Sequence, residues 1–510
     1  MGSRHLAQFA TLPSETLTLI FTNFCLHCCG EFDQPCDVGT VQMRQAQLQR
    51  ARPLQEERKK SWHYLLYRRP LCSLSRVSRR FRDIAQPILH HEFAHGHGGS
   101  WCAKGFKWNK RLILFMRTMS QRRDLASVVK VLSLQWNLFM SIRKHEASKA
   151  LTECADSMGI DLPKAWRERA LHPVPFSSFD SFQEESQAKD YSDFLVSFLD
   201  GEHGLSASTI KELRRKLDSE NGIGKIWIAA ELFAMLLAQL PNLEYLSIRS
   251  MDRRFRPFCS SAVSALSVSS LPLKTFDTPI FVSPILELAS GLQAFDIRGE
   301  DDLPSPIPPM PNLSVLRVSR MILTEKKLRD LLSACTGGLR TFTYEMVPDR
   351  ARMVQLCYEL FRMPVRLPAI IKHLQTHRET LRCLHLALYN GDEEKNRPAI
   401  TFKDFVALEH LLLSPNILPK DIPDAYEHPF LIQKIPSSIK SLNFRSVAIV
   451  NHAGLRKELI GLAEFKGQQP QQFPNLRLVI CDKKHPFNDD VVAVMLAAAD
   501  INLTYKTWDW

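Results

Sequence analysis

The sequence has no long apolar run. Its two longest, residues 229–240 and 491–499, stay well below the ~18 residues that mark a membrane-spanning helix, and Glu231 interrupts the first. No membrane span is expected. The opening Met1-Gly2-Ser3-Arg4-His5 leads into no apolar stretch of the kind a secretory leader needs. Leu6 stands where an N-myristoylation signal requires Ser or Thr. Also missing are a P-loop, a dinucleotide fingerprint and a G-x-S-x-G nucleophile elbow. Nucleotide hydrolysis, dinucleotide redox chemistry and serine hydrolysis therefore have no motif to rest on. The 12 cysteines are mostly isolated inside apolar patterns. That distribution argues against a disulfide framework and for reduced thiols in the cytoplasm or nucleus.

What is present is a globular composition on a long chain. The 510 residues are 45% hydrophobic and 24% charged, which suits two or more domains or one extended repeat array. Charge is unevenly placed. Residues 1–150 hold 24 Lys and Arg against 10 Asp and Glu, whereas the remaining 360 residues hold 42 against 44. The net charge of +12 thus belongs to the N-terminal third, which favours an acidic partner there.

Thr11-Leu12-Pro13-Ser14-Glu15 predicts a helix start. Pro13 fits the first turn, where its missing N–H is not needed, and Glu15 complements the helix dipole. Leu17, Ile20, Phe21 and Phe24 follow at i, i+3, i+4 and i+7 and form one apolar stripe. A second helix is expected from Leu71, with Leu74, Val77, Phe81, Ile84 and Ala85 on one face, arginines on the rest, and an interruption at Pro87. Leu12-Pro13-x-Glu15, Ile20-Phe21 and Leu71-x-x-Leu74-x-x-Val77-Ser78-Arg79-Arg80-Phe81-Arg82-x-Ile84-Ala85 together resemble an F-box. The Gln- and Arg-rich residues 28–69, read as a solvated loop, separate the two halves where an F-box normally runs through. The resemblance implies docking to the Skp-type adaptor of a Skp–cullin–F-box ubiquitin ligase. By position, Leu12, Pro13, Ile20, Phe21, Leu74, Val77 and Phe81 would form the apolar contact.

Beyond this module a pattern of apolar-x-x-apolar-x-apolar recurs ten times. It begins at Val129/Leu132/Leu134, Leu243/Leu246/Ile248, Leu273/Phe276/Thr278, Leu292/Phe295/Ile297 and Leu313/Leu316/Val318. It continues at Leu339/Phe342/Tyr344, Leu381/Leu384/Leu386, Leu408/Leu411/Leu413, Ile439/Leu442/Phe444 and Leu476/Val479/Cys481. Spacings of 30, 19, 21, 26, 42, 27, 31 and 37 residues after Leu243 are those of stacked strand-plus-helix units rather than of one even repeat. The layout resembles that of fungal F-box proteins with divergent leucine-rich repeats. The expected fold is α/β: a helical F-box-like module over 1–95, a basic linker and helix over 96–128, and an irregular leucine-rich-repeat horseshoe over 129–510. An insertion at 135–240 should be helical around 148–158, 191–199 and 226–240, with a Ser/Phe/Pro loop at 172–189.

Two motifs point toward metal chemistry. His91-Glu92-Phe93-Ala94-His95 spells H-E-x-x-H, which binds zinc when a helix brings both imidazoles to one face. Pro87 before it and Gly96, Gly98 and Gly99 after it leave no long helix, so the segment is read as the tail of the helical module. Cys25-x-x-Cys28-Cys29, with His27 and Cys36 nearby, has ligand-type residues but no second pair at finger-like spacing. These are read as buried or incidental thiols, and no metal or other cofactor is expected. Basic and aromatic residues interleave over 101–111, a pattern that suits nucleic acid but is read as a charged linker.

The resulting expectation is a non-enzymatic substrate receptor of a Skp–cullin–F-box ligase. A client protein would be held by strand residues that alternate with the core positions: Tyr245, Arg249, Asp296, Arg298, Arg317, Ser319, His385 and Arg445. A protein-interaction scaffold outside any ligase is the alternative, and a nucleic-acid binder built on the basic third ranks below it.

Overall fold

The computed structural model describes residues 11–30, 68–95, 108–162, 164–166, 223–249, 266, 268–279, 283–298, 303, 306–319, 321–346, 365–388, 401–414, 429–445, 452–482 and 490–506. The expectations for 31–67, 101–107, 172–189 and 191–199 lie outside these residues. The described residues fall into two compact units, divided in the chain between Gly291 and Leu292.

The first unit contains helices α1 (Ser14–Thr22), α2 (Arg79–Leu89), α3 (Trp108–Gln121), α4 (Lys144–Met158) and α5 (Ile223–Ala238). Its strands are β1 (Glu92–Ala94), β2 (Val131–Gln135), β3 (Tyr245–Arg249) and β4 (Thr275–Thr278). They pair in parallel and in chain order. The second unit carries β5 (Ala294–Arg298), β6 (Val315–Ser319), β7 (Thr341–Glu345), β8 (Cys383–Ala387), β9 (His410–Leu413), β10 (Ser441–Phe444), β11 (Leu478–Asp482) and β12 (Asn502–Lys506). These also run parallel in chain order. Its helices include α6 (Glu325–Ser333), α7 (Leu367–Leu374), α8 (His452–Gln468) and α9 (Asp490–Ala498).

Parallel neighbours cannot be joined by a tight turn, so consecutive strands within each unit are joined by crossovers. The result is the α/β architecture of an irregular leucine-rich-repeat-like solenoid. All ten sequence copies fall on β2 to β11, and every residue at their three marked positions is buried. Strand alternation explains this. The second and third marked residues are two apart and share a face. Pairing then stacks Phe295, Leu316, Phe342, Leu384 and Leu411 in one register row. Truncating any one of these to Ala is expected to cost about 2–5 kcal/mol.

Short polar links tie neighbouring repeats together. The Asn242 amide donates to the Ser127 carbonyl at 2.8 Å. Glu244 accepts from Lys130 at 2.7 Å and from Lys274 at 2.6 Å, one lysine in each adjacent repeat. Gly337 has no side chain because it cannot have one. A Cβ there would lie 1.6 Å from the Pro311 carbonyl oxygen of the preceding repeat.

Three expectations need correction. The repeat array starts at Glu92, not at 129, because the H-E-x-x-H segment forms β1 and pairs with β2. A three-residue strand is too short for the repeat pattern, and Phe93 is held mainly by rings, Phe115 at 4.6 Å and Trp108 at 5.8 Å. β12 likewise closes the second unit after the last copy. The single helix expected from Leu71 is two pieces. Residues 68–74 are helical, 75–77 turn, and Ser78 starts α2 by accepting the Phe81 N–H at 3.1 Å. Pro87 sits inside α2 without ending it. In the insertion, α4 and α5 appear near where they are expected. α5 is apolar nearly all round, and its Phe233 meets Trp136 and Phe139 ring to ring.

Candidate functional site: the helical module and its thiol–imidazole cluster

The helical module is held by one apolar cluster. Leu17, Phe21 and Cys25 from the α1 side pack with Leu71, Phe81, Ala85 and Ile88, and Leu12, Ile20 and Leu74 close its edges. Phe21 and Phe81 meet edge to face at 5.7 Å. Arg80 fastens the start of α2 to the start of α1 through the Leu12 carbonyl and the Ser14 hydroxyl. Val77 lies two residues ahead of α2, and Pro13 one residue ahead of α1.

The expected adaptor residues therefore divide. Phe21 and Phe81 are core and offer no surface, a correction that follows from the i, i+4 stripe facing the second helix instead of outward. Leu12, Ile20 and Leu74 are partly buried. Pro13 is exposed, and Val77 is 64% exposed. Leu19, which the sequence pattern passed over, is 70% exposed. Arg76, Arg79, Arg80 and Arg82 are all exposed.

At the other end of α1 the chain turns through Cys25–Cys28, with the Cys29 N–H bonded to the Cys25 carbonyl at 3.0 Å. His91, at the junction of α2 and β1, comes to this turn. Its Nδ1 lies 3.3 Å from Cys28 Sγ and 3.8 Å from Cys25 Sγ. His27 Nδ1 is 3.8 Å from Cys28 Sγ. One donor atom from each of Cys25, His27, Cys28 and His91 falls within 4.8 Å of all the others. Cys25 is buried, the two imidazoles half-buried and Cys28 exposed.

The two thiols are not equivalent. A hydrogen bond to Cys28, followed by burial, pushes the Cys25 thiol up to about 12. The same bond, seen from the accepting sulfur, pulls Cys28 below the ordinary thiol range. Behind them sits the buried Glu92 carboxylate, which accepts the His27 N–H at 3.0 Å and lies 3.6 Å from the Arg68 guanidinium. Burial raises the Glu92 carboxyl above its usual range.

The H-E-x-x-H motif does not act as one. On an extended strand its two histidines, four residues apart, are separated by roughly 13 Å, against one helical turn for a zinc-binding pair. His91 joins the cysteines, while His95 meets Trp108 edge to face at 4.8 Å and accepts the Gln135 N–H at 3.3 Å. Burial pushes the His95 imidazole down to about 4. No sequence spacing could reveal the cluster, because 63 residues separate Cys28 from His91. The only hint was that each belonged to an incomplete metal motif.

The expected client surface is also corrected. Tyr245, Asp296, Arg317, His385 and Arg445 are buried. Arg298 and Ser319 are half-buried, and the Arg249 side chain lies outside the described residues. The described ones lie opposite the leucine rows, and several are held in ion pairs. Arg298 forms a two-pronged pair with Asp296 at 3.0 and 2.5 Å. Arg445 donates to Glu345 at 2.9 Å, and His385 lies 3.4 Å from the same carboxylate.

No protein-family model matches this chain, and no curated protein matches it either. Among the described residues no helix is long and apolar enough to cross a membrane.

Proposed function

We propose that this chain is a non-enzymatic substrate receptor. It docks the Skp-type adaptor of a cullin ubiquitin ligase through its N-terminal helical module and presents a client protein on its repeats. The observation that carries the reading is that Pro13 and Val77, beside the two helix starts that Arg80 joins, are exposed, as are Arg76, Arg79, Arg80 and Arg82. Exposed apolar side chains in the same short segments as exposed cations suit an acidic adaptor surface, the apolar part supplying affinity and the charge steering encounter. The sequence resemblance to an F-box falls on the same residues. The repeats contribute parallel sheet on which a client can be held near a bound conjugating enzyme, a gain in effective concentration without bond chemistry in this chain. Of the expected client residues, Arg298 and Ser319 keep some exposure.

The test is co-purification of the full chain with a Skp-type adaptor, beside Val77→Asp. Val77 is exposed, so the substitution leaves the module core intact. A stable complex with the wild type that weakens at least tenfold in V77D supports the reading. Phe21→Asp is unsuitable, because a buried charge in the core unfolds the module whether or not it docks. Failure of the wild type to bind any adaptor would leave the scaffold outside a ligase as the better account.

A further inference from the structure

We propose that Cys25, His27, Cys28 and His91 bind one zinc ion in a closed tetrahedral site that fastens the end of α1 to the start of β1. The inference does not depend on adaptor docking.

The spacing of the donors is the first argument. With Zn–S of about 2.3 Å and Zn–N of about 2.0–2.1 Å, a tetrahedron places a sulfur and a nitrogen roughly 3.6 Å apart and two sulfurs roughly 3.8 Å apart. Three of the four sulfur–nitrogen separations here are 3.3, 3.8 and 3.8 Å. All four donors lie within 4.8 Å of one another, so they sit near the vertices of the polyhedron and close on an ion by side-chain adjustments of about an ångström or less.

Donor chemistry is the second. Two thiols and two imidazoles select zinc over magnesium or calcium, which take oxygen ligands. Four protein donors fill the coordination sphere and leave no open position for water or substrate. The site is therefore structural, not catalytic. On binding, both thiols give up their protons to solvent and the imidazoles bind as neutral rings.

The surroundings are the third. Glu92 fixes the His27 backbone by accepting its N–H, and Arg68 holds the strand carrying Glu92 by donating to the Glu92 and Leu89 carbonyls at 3.1 and 3.0 Å. The turn and the strand that supply the ligands are thus positioned before any ion arrives. Three ligands come from one turn and the fourth from 63 residues on, across the long insert. A metal bond there closes a large loop, which is where a cross-link restricts the unfolded chain most.

The experiment uses the full chain, purified under reducing conditions, loaded with zinc, passed through a desalting column and assayed for bound metal. Cobalt substitution gives a second readout through the d–d bands of tetrahedral cobalt and its thiolate charge-transfer band. One metal per chain is expected in the wild type. Cys28→Ser and His91→Asn should each lose it while keeping the far-UV circular dichroism of the wild type. Cys29→Ser, one residue outside the cluster, should keep it. Chelation should lower the unfolding midpoint of the wild type and leave C28S unchanged. A wild type that holds no metal after loading would overturn the proposal. So would C28S and H91N proteins that hold as much as the wild type, or cobalt spectra without a thiolate band.

Discussion

Replacing Arg445 by Met removes one side of a buried ion pair, and the structure sets the size of the effect. Arg445 is 0% exposed and its guanidinium lies 2.9 Å from Glu345. At an effective dielectric of ~20 the two charges attract by about 6 kcal/mol. Each ion has lost its hydration, at several kcal/mol apiece, so the intact pair contributes little net stability. Its disruption is another matter. In R445M the Glu345 carboxylate stays buried without that partner. His385 cannot replace it, because burial holds its imidazole down at about 4 and therefore neutral near pH 7. A loss of about 3–5 kcal/mol is expected. The double variant Glu345→Leu/Arg445→Met removes both charges and should recover most of it. The assay is urea unfolding followed by circular dichroism, comparing midpoints at constant slope. Hydrogen exchange of the β7 to β10 amides would localise the effect. If R445M unfolds within about 0.5 kcal/mol of the wild type, as a surface substitution would, or if the double variant is no better than the single, the reasoning fails. The same result would then return Arg445 to the solvent-facing role that strand alternation suggested.

Gly337→Ala should destabilise the second unit by more than the usual surface substitution, since its Cβ would overlap the Pro311 carbonyl; thermal unfolding checks this, and an unchanged midpoint would refute the close approach. Ser78→Ala removes the N-cap of α2 and should cost about 1 kcal/mol, whereas Ser78→Asp should cost little, both read by denaturant midpoint. His385 and His95 have folded-state values depressed to about 4 from 6.5. The unfolded chain therefore takes up these protons first as pH falls. Their stabilisation is complete above pH 6.5 and is lost between 6.5 and 4, by about 1.4 kcal/mol per pH unit for each group. Unfolding free energies measured from pH 7 to 5 should fall more steeply for the wild type than for His385→Gln; equal slopes would contradict a buried neutral imidazole.

Local pattern carried most of the fold. Leu243/Leu246/Ile248 and its nine relatives read as strands because a strand exposes every second residue to one face, and that rule needs no knowledge of the rest of the chain. The same locality limited it. β1 is three residues long and β12 follows no repeat signature, so neither had a period to detect. Ser78 marks a helix start by its side chain, yet the sequence pattern ran one helix through it because Leu74, Val77 and Phe81 keep helical spacing.

The sequence by itself determined which residues form the leucine core, since hydrophobic burial follows the period of the backbone. It also determined that Leu17, Ile20, Phe21 and Phe24 share one face of a helix, by their i, i+3, i+4 and i+7 spacing. Only the tertiary structure decided which apolar residues of the module remain free, because a stripe shows that a face is buried but not against what. Only the tertiary structure decided that Arg317, His385 and Arg445 are buried on the face opposite the leucine rows, where His385 and Arg445 meet Glu345, whose charge lies 100 residues from Arg445. And only the tertiary structure assembled Cys25, His27 and Cys28 with His91. A metal-type cluster is defined by distance in space, and no composition or spacing along the chain specifies that distance when its members belong to different elements.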